Sequence, residues 1–150
     1  MPRRRAASTH RASAVSAVPA RAAFRFLRDG RRLGRWALGC FDARRIAPGL
    51  FRGRSLFDGE VLYVRPVGDE KNLVVHYFVG TSRKALVARA WTRVQKLGPR
   101  RCRVSLVAQR VREMPLARWK RLMVTHEVEV LLIASLLESI QKKKRNDKNA

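Results

Sequence analysis

Between Glu60 and Val67 the side chains alternate, with Val61, Tyr63 and Arg65 on one face and Leu62 and Val64 on the other. Period-two alternation predicts a strand, and Pro66 confines it to a strand end or a sheet edge. The polar turn Gly68-Asp69-Glu70-Lys71-Asn72 separates it from the β-branched and aromatic run Leu73 to Val79, so an antiparallel hairpin is predicted. The period then changes. Val87, Ala90, Trp91, Val94 and Leu97 recur at helical spacing, Thr81 or Ser82 supplies an N-cap and Gly98-Pro99 a stop, which predicts a helix with Arg89, Arg93 and Lys96 on its outer face. Cys102 to Arg112 alternates again and predicts a third strand, in which Cys102 is a small core residue.

Pro115 opens a terminal helix predicted to reach about Lys142. Leu116, Trp119, Met123, Val130, Ala134 and Leu137 form its apolar stripe, widened by Leu122, Ile133, Leu136 and Ile140. A face this wide points to contact with another protein or with the amino-terminal arm, full internal burial being the alternative. The resulting order, β-β-α-β-α, predicts an α+β fold, a small two-layer sandwich preceded by a basic helical or extended arm.

Four segments follow from these patterns: residues 1–28 as an organellar targeting leader or disordered basic arm, 29–59 as basic arm and connection, 60–141 as the compact domain, and 142–150 as a basic disordered tail. The leader reading rests on Arg3, Arg4, Arg5, Arg11, Arg21, Arg25 and Arg28 in an acid-free, Ala- and Ser-rich stretch. A helix over 21–38 would place Arg21, Arg25, Arg28, Arg32 and Arg35 on one stripe, weakened by Gly30 and Gly34. Residues 41–60, with Pro48, Gly49, Gly53 and Gly59, read as an irregular connection in which Leu50, Phe51, Leu56 and Phe57 pin the chain to the domain. No apolar run reaches the roughly 20 residues of a membrane span.

Charge then dominates the functional reading. Lys and Arg number 34 against 11 Asp and Glu, a formal net charge of +23 in 150 residues. That surplus calls for a polyanionic partner, nucleic acid first and an anionic membrane second. The candidate RNA-binding residues are Arg44, Arg45, Arg52 and Arg54 in the connection, and Arg89, Arg93, Lys96, Arg100, Arg101 and Arg103 around the predicted helix and third strand. Lys142, Lys143, Lys144 and Arg145 in the tail complete the set. Arginine suits phosphate because its planar fork donates two hydrogen bonds at once.

Catalytic signals are absent from the linear sequence. His10, His76 and His126 show no metal-ligand spacing with one another or with Cys40 and Cys102. Nucleophile-elbow, phosphate-loop, dinucleotide and zinc-protease motifs are missing, so no catalytic, cofactor or metal residues are assigned and no enzyme is expected. The composition therefore points to a structural constituent of a mitochondrial ribosome in the matrix, with rRNA and neighbouring ribosomal proteins as partners. Plastid and cytoplasm are the less favoured locations. The alternatives are an accessory subunit of an organellar inner-membrane complex and an RNA-processing or ribosome-assembly factor.

Overall fold

The computed structural model describes residues 8–149. Arg3, Arg4 and Arg5 of the expected leader lie outside the described residues. Strand β1 (Thr9–Ser16) is followed by helices α1 (Ala20–Arg28) and α2 (Gly30–Leu33) and a 3-10 turn at Leu38–Cys40. Six strands come next: β2 (Phe41–Ala47), β3 (Leu50–Arg54), β4 (Val61–Asp69), β5 (Val74–Gly80), β6 (Val87–Gly98) and β7 (Arg101–Gln109). Helix α3 (Leu116–Lys148) closes the chain.

All seven strands form one antiparallel sheet in the order β1-β7-β6-β5-β4-β3-β2. Its inner face is apolar. Ala12, Val64, Val75, Tyr77, Val94, Cys102, Val104 and Leu106 pack there against Phe24 and Leu27 of α1, Leu33 and Trp36, and Val130, Ile133 and Leu137 of α3. Burial of these side chains holds the three helices on one side, at about 25 cal/mol for each Å² of apolar surface removed from water.

Buried polar contacts fix how the helices sit. The Tyr77 hydroxyl donates to the Leu27 carbonyl at 2.8 Å, tying the end of α1 to β5. The Ser16 hydroxyl donates to the Ala134 carbonyl at 3.1 Å, and Glu138 accepts from the Ala17 N–H at 3.0 Å, tying α3 to the exit of β1. Between α1 and α2 the Asp29 carboxylate accepts the Arg31 N–H at 3.0 Å, capping the second helix and letting the chain turn. Gly30 and Gly34 are points of close approach: a Cβ at Gly30 would overlap the Phe51 ring, and one at Gly34 would overlap the Ala43 backbone.

Several sequence expectations are corrected. The molecule is a seven-stranded antiparallel sheet gripping a long carboxy-terminal helix, in place of a small β-β-α-β-α sandwich. The β4–β5 hairpin, β7 and α3 stand close to their predicted places. The predicted helix through Val87 to Leu97 is strand β6, because pairing with β5 and β7 on both sides outweighs its helical spacing. The expected irregular connection forms the β2–β3 hairpin, turning at Gly49 with φ +68°.

The stretch expected to be a leader or arm supplies β1 and α1. β1 pairs with β7 from Thr9↔Gln109 to Ser16↔Cys102, as one edge of the sheet. The expected disordered tail continues α3 to Lys148. Among the described residues no helix is long and apolar enough to cross a membrane.

Candidate functional site

The inner face of the sheet is not completely filled. A cavity of about 160 Å³ remains between the sheet, the α2-to-β2 connection and the first half of α3. Leu62 and Val64 of β4, Tyr77 and Val79 of β5 and Leu106 and Ala108 of β7 form its floor, while Trp36, Met114, Trp119 and Leu122 close its sides. The exposed residues Gln109 and Arg118 also border it, so it opens between the end of β7 and the start of α3.

Three lining residues carry buried polar atoms that make no hydrogen bond among the described residues: Nε1 of Trp36, Nε of Arg89 and Nδ1 of His126. An unsatisfied buried polar atom costs about 1–3 kcal/mol, so three around one cavity call for an explanation. Trp36 is oriented by an edge-on contact with Tyr77, ring centroids 5.7 Å apart. Arg89 is half-buried and forms no ion pair among the described residues.

The α3 wall holds an acid–base pair. Glu129 is buried among apolar side chains, and its Oε2 accepts the Leu38 N–H at 3.0 Å. Burial pushes its carboxyl up to about 8, the Leu38 hydrogen bond opposing the shift. One turn earlier, His126 Nε2 lies 3.9 Å from Glu129 Oε1. Burial and the nearby His10 pull the imidazole down to about 4. The separation is within ion-pair reach, but burial leaves both groups neutral at pH 7: a protonated carboxyl beside a neutral imidazole. His10 stacks on His126 with ring centroids 6.2 Å apart, and Glu127 Oε1 stands 3.2 Å from His10 Nε2 at the surface.

Other nucleophile candidates are inert. Cys40 borders the cavity, but burial pushes its thiol up to about 12, so it carries no thiolate at neutral pH. Burial likewise pushes Cys102 up to about 11. Among the described residues no cluster of three or more His, Cys, Asp or Glu is arranged to hold a metal ion.

The basic residues singled out in the sequence go elsewhere, with one exception. Arg44, Arg45, Arg52 and Arg54 are exposed on the β2–β3 hairpin. Arg93, Lys96, Arg100, Arg101 and Arg103 are exposed on and around the β6–β7 hairpin, where Arg103 donates to Gln95 at 3.2 Å. Lys142, Lys143, Lys144 and Arg145 are exposed on the last turns of α3. β4 and β5 separate the first two groups in the sheet, so they do not form one patch. Arg89 alone borders the cavity.

Sequence reasoning missed Glu129, His126 and Trp36. The readable signal was polar Thr125, His126 and Glu129 set at one-turn spacing among the apolar residues of α3.

No family model matches the chain, and no curated protein matches its sequence. Solved structures do match its fold. The Zhui aromatase/cyclase from Streptomyces sp. R1128 is 14% identical, with a TM-score of 0.63 over 87% of this chain and 93% of that one. The di-domain aromatase/cyclase BexL of the BE-7585A biosynthetic pathway is also 14% identical, with a TM-score of 0.65 over 85% of this chain and 45% of the di-domain. A protein from Thermus thermophilus is 13% identical, with a TM-score of 0.67 over 88% of this chain and 98% of that one.

The chain therefore has the helix-grip fold of these proteins. This similarity overturns the expectation of a mitochondrial ribosomal constituent with rRNA and ribosomal proteins as partners. The physical reason is that a surplus of surface charge reports on solubility and adhesion and leaves the interior undescribed. The expectation of a non-enzyme rested on the missing linear motifs, whereas folding brings His126 and Glu129 together at a cavity.

Proposed function

We propose that this chain is a small-molecule-binding protein whose cavity holds a compact, ring-sized compound and offers it the acid–base pair His126 and Glu129. The observation that carries the reading is the set of partnerless polar atoms on Trp36, Arg89 and His126 around a cavity with a largely apolar floor. Apolar walls with a few convergent polar groups are the usual make-up of a ligand site. A dry cavity of about 150 Å³ accepts a benzene ring, which sets the scale of the compound held here.

The pair favours proton transfer. A neutral Glu129 carboxyl, pushed up to about 8, is a general acid at pH 7, and the neutral His126 offers its imidazole lone pair as a weak base, burial holding it down to about 4. Removing a proton beside a carbonyl and returning one to a departing hydroxyl are the steps that ring closure and aromatisation require. The shared fold with aromatase/cyclases supports this class of chemistry. The floor itself is Leu, Val, Ala and Tyr, with Arg89 and Arg118 at its border.

The test is a methyl-NMR titration of the full chain with 4-ethylphenol, a neutral single-ring probe. Saturable shifts confined to the methyls of Leu62, Val64, Leu106, Met114 and Leu122 are expected. Shifts limited to the exposed Val67, Val87 and Leu131, or none, would contradict the proposal.

A further inference from the structure

Strand β6 is irregular at one place. Tyr77 of β5 pairs with Ala90 and the next residue, Phe78, pairs with Ala88, so Arg89 is the extra residue of a β-bulge. Regular alternation from Thr92 and Val94, both buried on the inner face, would put Ala90 inside and Arg89 outside with the exposed Arg93. The bulge instead leaves both Arg89 and Ala90 on the cavity. Bulges next to functional sites re-aim side chains in this way.

The environment into which Arg89 is turned holds no counter-charge. Glu129 is the single acid among the lining residues, and it is held protonated at neutral pH. Arg118, which borders the same cavity, is a second cation whose field opposes that of Arg89. The Nε–H of Arg89 is buried and has no acceptor among the described residues. Asp58, exposed on the β3–β4 loop, lies in the field of Arg118 and Arg121, and it is not among the charges that act on Arg89. A buried Nε–H without an acceptor is costly even on a half-buried arginine, whereas an arginine facing a carboxylate makes two parallel hydrogen bonds.

We propose that the ligand of this cavity carries a carboxylate, seated on the Arg89 guanidinium at the Arg118 side, with its ring against Trp36 and the apolar floor. The inference rests on the small-molecule reading above and adds the charge of the ligand. It also orients the compound: the anionic group takes the arginine end, and the opposite end of the ring reaches toward His126 and Glu129. The positive field of the two arginines draws an anion to the mouth, and the apolar floor excludes a second charge.

Binding of benzoate, benzamide and toluene to the full chain at pH 6.5, followed by cavity methyl shifts and calorimetry, tests it. Benzoate is expected to bind at least tenfold more tightly than benzamide. Arg89→Met and Arg89→Gln are expected to bring the two within about threefold of each other, circular dichroism confirming that each variant folds. Arg118→Met should reduce the benzoate preference only in part.

Equal affinities for benzoate and benzamide, with both shifting the cavity methyls, would overturn the carboxylate inference and leave the small-molecule reading standing. A benzoate preference that survives both Arg89 variants would overturn the role of Arg89. If none of the three probes reaches the cavity methyls, the small-molecule reading fails and this inference fails with it.

Discussion

Replacing Glu129 by Gln should change how stability depends on pH, in a direction fixed by the burial of the carboxyl. In the folded protein Glu129 titrates near 8 against an ordinary value of 4.5, so the folded state holds a proton that the unfolded state releases. Its contribution is complete below about pH 4.5 and is lost as pH rises to 8. His126 titrates near 4 against an ordinary 6.5, so its contribution is complete above pH 6.5 and is lost as pH falls to 4. Between 4.5 and 6.5 the two slopes oppose each other and stability is level. From 6.5 to 8 only the Glu129 slope remains, about 1.4 kcal/mol per pH unit, so the wild-type protein loses about 2 kcal/mol over that interval.

The glutamine variant still presents an oxygen to the Leu38 N–H but has no proton to lose, so it should keep its stability across the same interval. Urea unfolding followed by tryptophan fluorescence at half-unit steps of pH measures both curves. Their difference isolates the one group from the other titrating residues. Parallel curves for wild type and Glu129→Gln between pH 6.5 and 8 would refute a buried, protonated Glu129.

Other consequences follow from the same structure. Tyr77→Phe leaves the Leu27 carbonyl without its 2.8 Å donor in a buried place and should cost about 1–3 kcal/mol in urea unfolding. Gly30→Ala forces a methyl into the Phe51 ring and should cost about 1–3 kcal/mol, whereas Gly39→Ala, which meets nothing within 4 Å, should be nearly neutral. If the acid–base pair acts on a bound ketone, exchange of the α-protons of acetophenone into deuterated water should be accelerated by the wild-type protein. That acceleration should fall about 10²-fold or more in Glu129→Gln or His126→Phe, as read by proton NMR.

What was legible in the sequence was local. The β4–β5 hairpin shows itself through alternation around a polar turn, β7 through Cys102, Val104, Leu106 and Ala108, and α3 through its long apolar stripe. β6 was ambiguous because Val87, Ala90, Trp91, Val94 and Leu97 satisfy a helical period. Ala90, Thr92 and Val94 also satisfy a strand, and the choice is made by β5 and β7. β1 was hidden because Ala12, Ala14 and Ser16 are small and their partners, Leu106, Val104 and Cys102, lie far along the chain.

The same limit applies to the site. Glu129 was visible as an acid within an apolar stretch, but its meaning depends on the Leu38 N–H and on the cavity beyond it. Arg89 was picked out for its charge and assigned to an outer helix face, because a bulge in strand pairing leaves no mark in a single sequence. The other arginines and lysines dominate the composition from the most exposed parts of the structure, and so drew the functional reading outward.

The most direct test of the central claim is a crystal structure of the full chain soaked with 4-bromophenol, with anomalous data collected at the bromine edge. One strong bromine peak is expected inside the cavity, among Trp36, Tyr77, Leu106 and Trp119. Bromine found only on the outer face of the sheet, with the cavity closed over by its own side chains, would contradict it.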